Sequence, residues 1–285
     1  MSRIAYVNGQ YRDMRDAVVN IEDRGYQFSD GVYEVCEIRG GKVVDLPLHM
    51  IRLQRSLREL RIGMPMPPAA LEVVIHETAR RNRVIYGIVY LQVTRGVARR
   101  DHAFPVKPVK PALVVTARGL NFQKNQDTAA RGINVITVPE NRWPRVDIKS
   151  VSLLPNVLAK QHARENDAYE AWFVDSNGEV TEGSSSNAWI ITRDGKVVTR
   201  SAESGILAGV TRAVLTKVMA ALQVRLEERP FTPEEAYEAA EAFVTASSQI
   251  VMPVVRIDGH PIGNGKPGTI SMRLREEFHR FADFS

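Results

Sequence analysis

A side-chain amine becomes a nucleophile when its surroundings strip away water and lower its pKa from about 10.4. Nine lysines are candidates. Lys42 and Lys196 follow turn glycines, Lys107 and Lys110 sit among prolines, and Lys266 lies in a Gly/Pro loop. Lys124 falls in a polar stretch, and Lys160 and Lys217 belong to exposed helix faces. Lys149 differs, because it separates Val146-Asp147-Ile148 from the mostly apolar Val151 to Leu154. It reads either as a partly desolvated reactive amine or as an ordinary lysine with a buried stem.

Five other groups carry possible chemistry. Glu182 ends the run Val180-Thr181-Glu182-Gly183. It is either a plain strand-end charge or a carboxylate facing a pocket lined by the hydroxyls of Ser184 to Ser186. Gly209-Val210-Thr211 opens a helix, which makes either a simple cap or an anion site of backbone N–H groups and a hydroxyl suited to phosphate. Phe243 to Ser248 offers hydroxyls at a second strand end, and Arg52 lies beside the apolar stripe of its helix. In an extended segment Arg100 and His102 share one face, and a guanidinium beside an imidazole suits a carboxylate.

The elements that hold these groups are marked by turn chemistry. Asn8-Gly9, Gly40-Gly41, Asn177-Gly178, Asp194-Gly195 and Asp258-Gly259 each separate β-rich runs and predict tight hairpins. Met50, Leu53, Leu57 and Leu60 form an amphipathic stripe within residues 47–62. Residues 69–81, 153–165, 211–222 and 269–281 also read as helices, and Thr232-Pro233-Glu234-Glu235 is a capping box. Hairpins outnumber possible crossovers, so the class is α+β, in two mixed domains. The boundary is expected where the apolar pattern lapses, giving a domain at 1–118, a linker at 119–128 and a domain at 129–285.

The 285 residues carry 38 Lys and Arg against 33 Asp and Glu, a formal charge of +5. The charges are interspersed, which disfavours nucleic acid and fits small anions. With 44% apolar residues the chain can build a real core. The single cysteine, Cys36, forms no internal disulfide, and no apolar run reaches membrane-spanning length, so a soluble cytoplasmic protein is expected. Residues 263–268 match G-x-G-x-x-G, but Pro267 interrupts the turn and the chain ends before a second strand. His76-Glu77 lacks the second histidine of a zinc motif, since Arg80 takes its place. Residues 183–187 lack the spacing of a serine nucleophile elbow.

Taken together, the stretch Asp23 to Glu34, Asp147-Ile148-Lys149-Ser150, Val180 to Asn187, Ile206 to Arg212 and Phe243 to Val254 resemble the signature segments of fold-type IV pyridoxal-phosphate enzymes, in that family's order. Arg100-Asp101-His102 resembles the carboxylate-binding loop of its D-amino-acid aminotransferases. The resemblance implies a small α/β domain, a larger barrel-like domain and pyridoxal 5'-phosphate as cofactor. It implies that Lys149 carries the cofactor as a Schiff base and moves the Cα proton. Glu182 would meet the pyridine nitrogen, Leu207 would pack on the ring, and Arg52, Val210, Thr211 and Ser247 would bind the phosphate. Tyr33, Arg100 and His102 would grip the substrate carboxylate, some of them from the partner subunit of a homodimer.

The activity implied is transfer of an amino group from a D-amino acid such as D-alanine to a 2-oxo acid such as 2-oxoglutarate. Rival readings are a branched-chain L-aminotransferase, an (R)-amine transaminase, an aminodeoxychorismate lyase, or a non-catalytic binder on the same scaffold. Two positions depart from the family pattern. Ala246 stands where a hydroxyl residue is expected, and Arg99 where a proline is expected, which points toward dicarboxylate substrates.

Overall fold

The computed structural model describes residues 3–285, which form two compact units. The first comprises the chain up to Phe122 together with Ile148–Ser152 and Asp283–Ser285. Its strands are β1 (Ile4–Val7), β2 (Gln10–Asp13), β3 (Gly31–Arg39), β4 (Lys42–Val43), β5 (Tyr86–Thr94) and β6 (Ala112–Gly119). They form one antiparallel sheet in the order β2-β1-β6-β5-β3-β4. Helices α1 (Arg24–Phe28), α2 (Leu46–Glu59) and α3 (Pro68–Arg81) complete it.

Asn8-Gly9 and Gly40-Gly41 make the hairpins expected of them, with positive φ at all four residues. In β3, Val32, Glu34, Cys36 and Ile38 point inward and the intervening residues are half-buried, the period of two that a one-sided strand requires. The inward row meets Met50, Leu53 and Leu57 of α2 in one apolar core. Ile148 belongs to that core, so the segment carrying Lys149 is pinned here: Ser150 bridges Val32, and the Tyr33 amide donates to the Lys149 carbonyl at 3.0 Å.

The second unit comprises Gln123–Asp147 and Leu153–Ala282. Residues 119–128, expected as a linker, contain the division between the two units, at Phe122/Gln123. Helix α4 (Phe122–Arg131) occupies most of them and buries Ala129 in the core. The remaining elements are β7 (Ile133–Pro139), α5 (Leu154–Glu165), β8 (Glu170–Val174), β9 (Val180–Gly183), β10 (Asn187–Ile191), β11 (Val197–Thr199), α6 (Val210–Ala221), β12 (Leu226–Glu228), α7 (Pro233–Tyr237), β13 (Glu241–Ala246), β14 (Ile250–Ile257), β15 (His260–Pro261) and α8 (Thr269–Glu277). The capping box forms at α7, where the Thr232 hydroxyl accepts from the Glu235 amide at 3.3 Å.

The sheet runs β12-β11-β10-β13-β14-β7-β8-β9, with β15 paired to β14. Strands β10 and β9 lie five steps apart along it, which in a flat sheet would separate them by about 24 Å. Only Ser184 to Ser186 connect them in the chain, a span that reaches at most ~14 Å. The sheet therefore curls until β9 returns beside β10, where the Gly183 amide donates to the Ser186 carbonyl at 2.7 Å. The barrel-like sheet implied by the resemblance follows from that short connection.

Candidate active site

The first unit groups Lys149, Tyr33 and Arg52. Lys149 is half-buried between buried Ile148 and Ser150, with Nζ 4.2 Å from the Tyr33 ring centroid. Its amide donates to Ser56 Oγ of α2 at 3.3 Å. The Tyr33 ring stacks on Tyr90 across the β3–β5 pair, at 5.8 Å. Burial, with Tyr33 adding to it, pushes the Tyr90 phenol up to about 12.

Arg52 is a buried side chain that forks onto Glu34, donating from Nε to Oε1 and from Nη2 to Oε2, both at 2.7 Å. His49, one helical turn before it, meets Glu34 Oε2 through Nδ1 at 2.8 Å. Burial alone would push the Glu34 carboxyl up. The guanidinium and the imidazole outweigh it and hold the group well below the usual carboxylate range. Burial pulls His49 down, against the pull of Glu34. Glu34 and His49 were missed in the sequence, although a carboxylate on the inward row of β3 is a signal, because a buried charge requires a partner.

Arg100 and His102 lie in the long exposed loop between β5 and β6, which is irregular rather than extended. They still share a face, because the Arg100 guanidinium lies 5.1 Å and the His102 ring 5.4 Å from the Phe28 ring centroid. Among the described residues, no hydrogen bond or ring contact joins either of them to Tyr33. Gly96 starts this loop at φ +103, and a Cβ there would lie 2.1 Å from the Lys110 carbonyl oxygen.

The second unit gathers the other predicted residues around Asn187. Glu182, at the end of β9, is buried; Oε1 accepts from Arg142 Nη1 at 2.6 Å. Oε2 accepts from Asn187 Nδ2 at 3.1 Å and from the Leu207 amide at 3.2 Å. Asn187 Nδ2 also donates to the Leu207 carbonyl, so one amide joins β9 to the segment before α6. That segment passes so close that a Cβ on Gly209 would lie 2.2 Å from Asn187 Oδ1. Gly209 caps α6 without a side-chain hydrogen bond, so the first amides of a three-turn helix end beside the buried Thr211 side chain. In register, Asn187 pairs with Thr245, which places the half-buried Ser247 just past that strand end.

Two further features were not foreseen. Arg142 is almost fully buried and is shared between Glu182 and Glu140, contacting Glu140 Oε1 at 2.8 Å and Oε2 at 2.5 Å. Burial works against its charge, and the two carboxylates outweigh that and raise its pKa. The hydroxyls of Ser184, Ser185 and Ser186 do not line a pocket around Glu182, one of the two readings of that stretch. All three donate to the fully buried Glu170 of β8, with Ser185 at 2.9 Å and Ser186 at 3.0 Å. Nothing in the local pattern marks Arg142, which lies in an irregular segment 40 residues from Glu182.

The donor set of this unit fits pyridoxal phosphate: an oriented carboxylate for a ring nitrogen, and helix amides with hydroxyls for a phosphate. Comparison with known proteins agrees. The model of the class IV amino-transferase family matches residues 31–257. The chain is 38% identical to a D-alanine aminotransferase of Staphylococcus haemolyticus over 98% of its own length and 97% of the relative's. It is 38% identical to the Bacillus licheniformis D-alanine aminotransferase, over 94% and 93%. A T.th. branched-chain amino acid aminotransferase, solved with pyridoxamine 5'-phosphate, superposes with a TM-score of 0.88 at 25% identity, covering 100% of this chain and 99% of that one. An Escherichia coli branched-chain aminotransferase gives 0.90 at 21% identity, covering 98% and 94%, and shows the shared fold. The match to the family model over residues 31–257 and to D-alanine aminotransferases over nearly the whole chain leads to one assignment: the chain belongs to the class IV aminotransferases and is a pyridoxal-phosphate-dependent transaminase.

Proposed function

We propose that the enzyme moves an amino group from a D-amino acid, such as D-alanine, to a 2-oxo acid, such as 2-oxoglutarate. The observation that carries this reading is the Arg100–His102 pair, both on the Phe28 ring, in a chain 38% identical to D-alanine aminotransferases. Bound pyridoxal phosphate supplies an electron sink at the substrate Cα and a carrier for the amino group. Lys149 is the amine that attaches the cofactor and, once displaced by substrate, takes and returns the Cα proton. Glu182 meets the pyridine nitrogen and keeps its proton in place, oriented by Arg142, Asn187 and the Leu207 amide. The amides of Val210 and Thr211 at the start of α6, with the Ser247 hydroxyl and Arg52, hold the phosphate, and Leu207 covers one ring face.

Tyr33, Arg100 and His102 grip the carboxylate, which sets the Cα–H bond that faces Lys149 and so the hand of the substrate. The resemblance to the family supports a homodimer in which Arg100 and His102 serve the partner's site. The single, buried Cys36 fits a reducing cytoplasm. No helix of the described residues is long and apolar enough to cross a membrane.

The second reading, transamination of branched-chain L-amino acids, is favoured by the T.th. neighbour. Titrating the visible spectrum of the holoenzyme with D-alanine and, in parallel, with L-leucine separates the two. Conversion to the pyridoxamine form by D-alanine alone is the expected result. Conversion by L-leucine alone would overturn the D-amino-acid reading.

A further inference from the structure

Residues 99–104, which carry Arg100 and His102, are exposed and have no regular secondary structure of their own. A loop of this kind does not hold a guanidinium and an imidazole in one place unless its backbone is tied down elsewhere. The tie is Arg24 at the start of α1, whose side chain is 3% exposed. Its Nη1 donates to the carbonyl oxygens of Asp101 at 2.6 Å and Ala103 at 3.3 Å, and its Nη2 to that of His102 at 3.3 Å. Three consecutive loop carbonyls therefore converge on one guanidinium.

Nε of Arg24 donates to Asp30 Oδ2 at 2.8 Å, and the same oxygen accepts from Arg95 Nε at 2.7 Å. Arg95 is itself fixed by the carbonyls of Leu60 and Arg61, and its guanidinium lies 3.7 Å from the Phe104 ring centroid. The Arg24 guanidinium also lies 4.8 Å from the Phe28 ring, against which Arg100 and His102 pack. Backbone and side chains of the loop thus refer to the same two residues, Arg24 and Phe28.

We propose that Arg24 is a positioning residue, whose planar fork fixes the carbonyls of residues 101–103 and thereby holds Arg100 and His102 in the geometry that captures a substrate carboxylate. The inference rests on the carboxylate role proposed above for that pair. A lysine would keep the charge beside Asp30 but not the planar fork that reaches three carbonyls and a carboxylate at once. Displacement of the pair by a fraction of its working distance weakens capture of every carboxylate substrate.

The test compares Arg24→Lys with wild type in steady-state kinetics of the holoenzyme with D-alanine and 2-oxoglutarate. The same substitution is also made in an Arg100→Ala/His102→Ala background. The expected result is a KM for both substrates raised about tenfold in Arg24→Lys, with kcat changed far less, since ground-state capture is what loosens. The dissociation constant of pyridoxal phosphate should stay at the wild-type value. In the double-alanine background Arg24→Lys should change KM less than twofold, because the groups it positions are gone. A general structural defect would move KM in both backgrounds. The inference is overturned if Arg24→Lys keeps the wild-type KM while the double-alanine enzyme has a raised one, or if it raises KM equally in both backgrounds. If the double-alanine enzyme itself keeps the wild-type KM, the carboxylate reading is overturned and the inference falls with it. Arg24→Met, with thermal melting of each variant, shows whether the buried site tolerates loss of the charge, and Arg24→Lys decides the question if it does not.

Discussion

Replacing Glu34 by glutamine keeps the shape of the side chain and removes one charge from the first unit. Glu34 is 0% exposed and faces Arg52 and His49, also buried. The substitution strands the Arg52 guanidinium next to a neutral amide. Removing one partner of a buried ion pair costs roughly 3–5 kcal/mol, because the other charge stays desolvated. Replacing both Glu34 and Arg52 by methionine removes the stranded charge as well, so that double variant should be the more stable of the two despite the larger change. The assay is urea unfolding of the apo-protein, followed by circular dichroism at pH 7. The pH dependence gives an independent reading. Arg52 and His49 hold the Glu34 carboxyl below its usual range against burial, so the unfolded chain takes up a proton there first as pH falls. This stability is fully present above about pH 4.3, the ordinary glutamate value, and drains away on acidification. Glutamine lacks that limb. The reasoning is refuted if Glu34→Gln unfolds within 1 kcal/mol of wild type at pH 7, on the order of a surface substitution, with an unchanged acid limb.

Lys149→Ala should bind pyridoxal phosphate without covalent attachment and lose turnover on the order of 10³-fold or more, read by borohydride trapping and rate together. Arg142→Met leaves Glu182 and Glu140 without their shared donor, and should weaken pyridoxal phosphate binding about tenfold, since charge-assisted hydrogen bonds are worth about 1.5–3 kcal/mol; equilibrium binding to the apo-protein reads it. Arg99 is exposed, so Arg99→Ala should lower kcat/KM for D-glutamate relative to D-alanine only a few-fold, and less at high salt. Equal turnover ratios in both enzymes would dismiss the dicarboxylate preference.

The hairpins were legible because Asn-Gly and Asp-Gly turns need positive φ, and Gly9, Gly178, Gly195 and Gly259 have it. Helix α2 was legible from its apolar period and α3, α5 and α6 from their composition, each to within one residue at its start. Helix α4 was not, because a polar surface helix and an irregular connector share a composition. Nor does periodicity reveal that five residues around Lys149 leave their sequence neighbours for the other unit. That exchange depends on Ile148 reaching the core between β3 and α2, a contact with no local signature.

The charged partners explain the rest. Glu182 and Thr211 stand at the ends of β9 and α6, and Lys149 lies between two apolar runs, so their positions carry information. Arg142, Glu140, Glu170 and His49 do not. A buried charge is defined by what compensates it: Arg142 meets Glu182 across 40 residues as well as Glu140 two residues away, and Glu170 meets Lys160 of α5 and the serines 14 to 16 residues on. Only Glu34 could have been found. It sits among Val32, Cys36 and Ile38 on one face of a strand, and Arg52 and His49 lie one turn apart on the helix that packs there. A carboxylate on an apolar row and two cationic or imidazole groups on one helical face are each unremarkable alone. Their joint presence in adjacent elements requires a buried ion pair, because neither element can bury its polar group without the other.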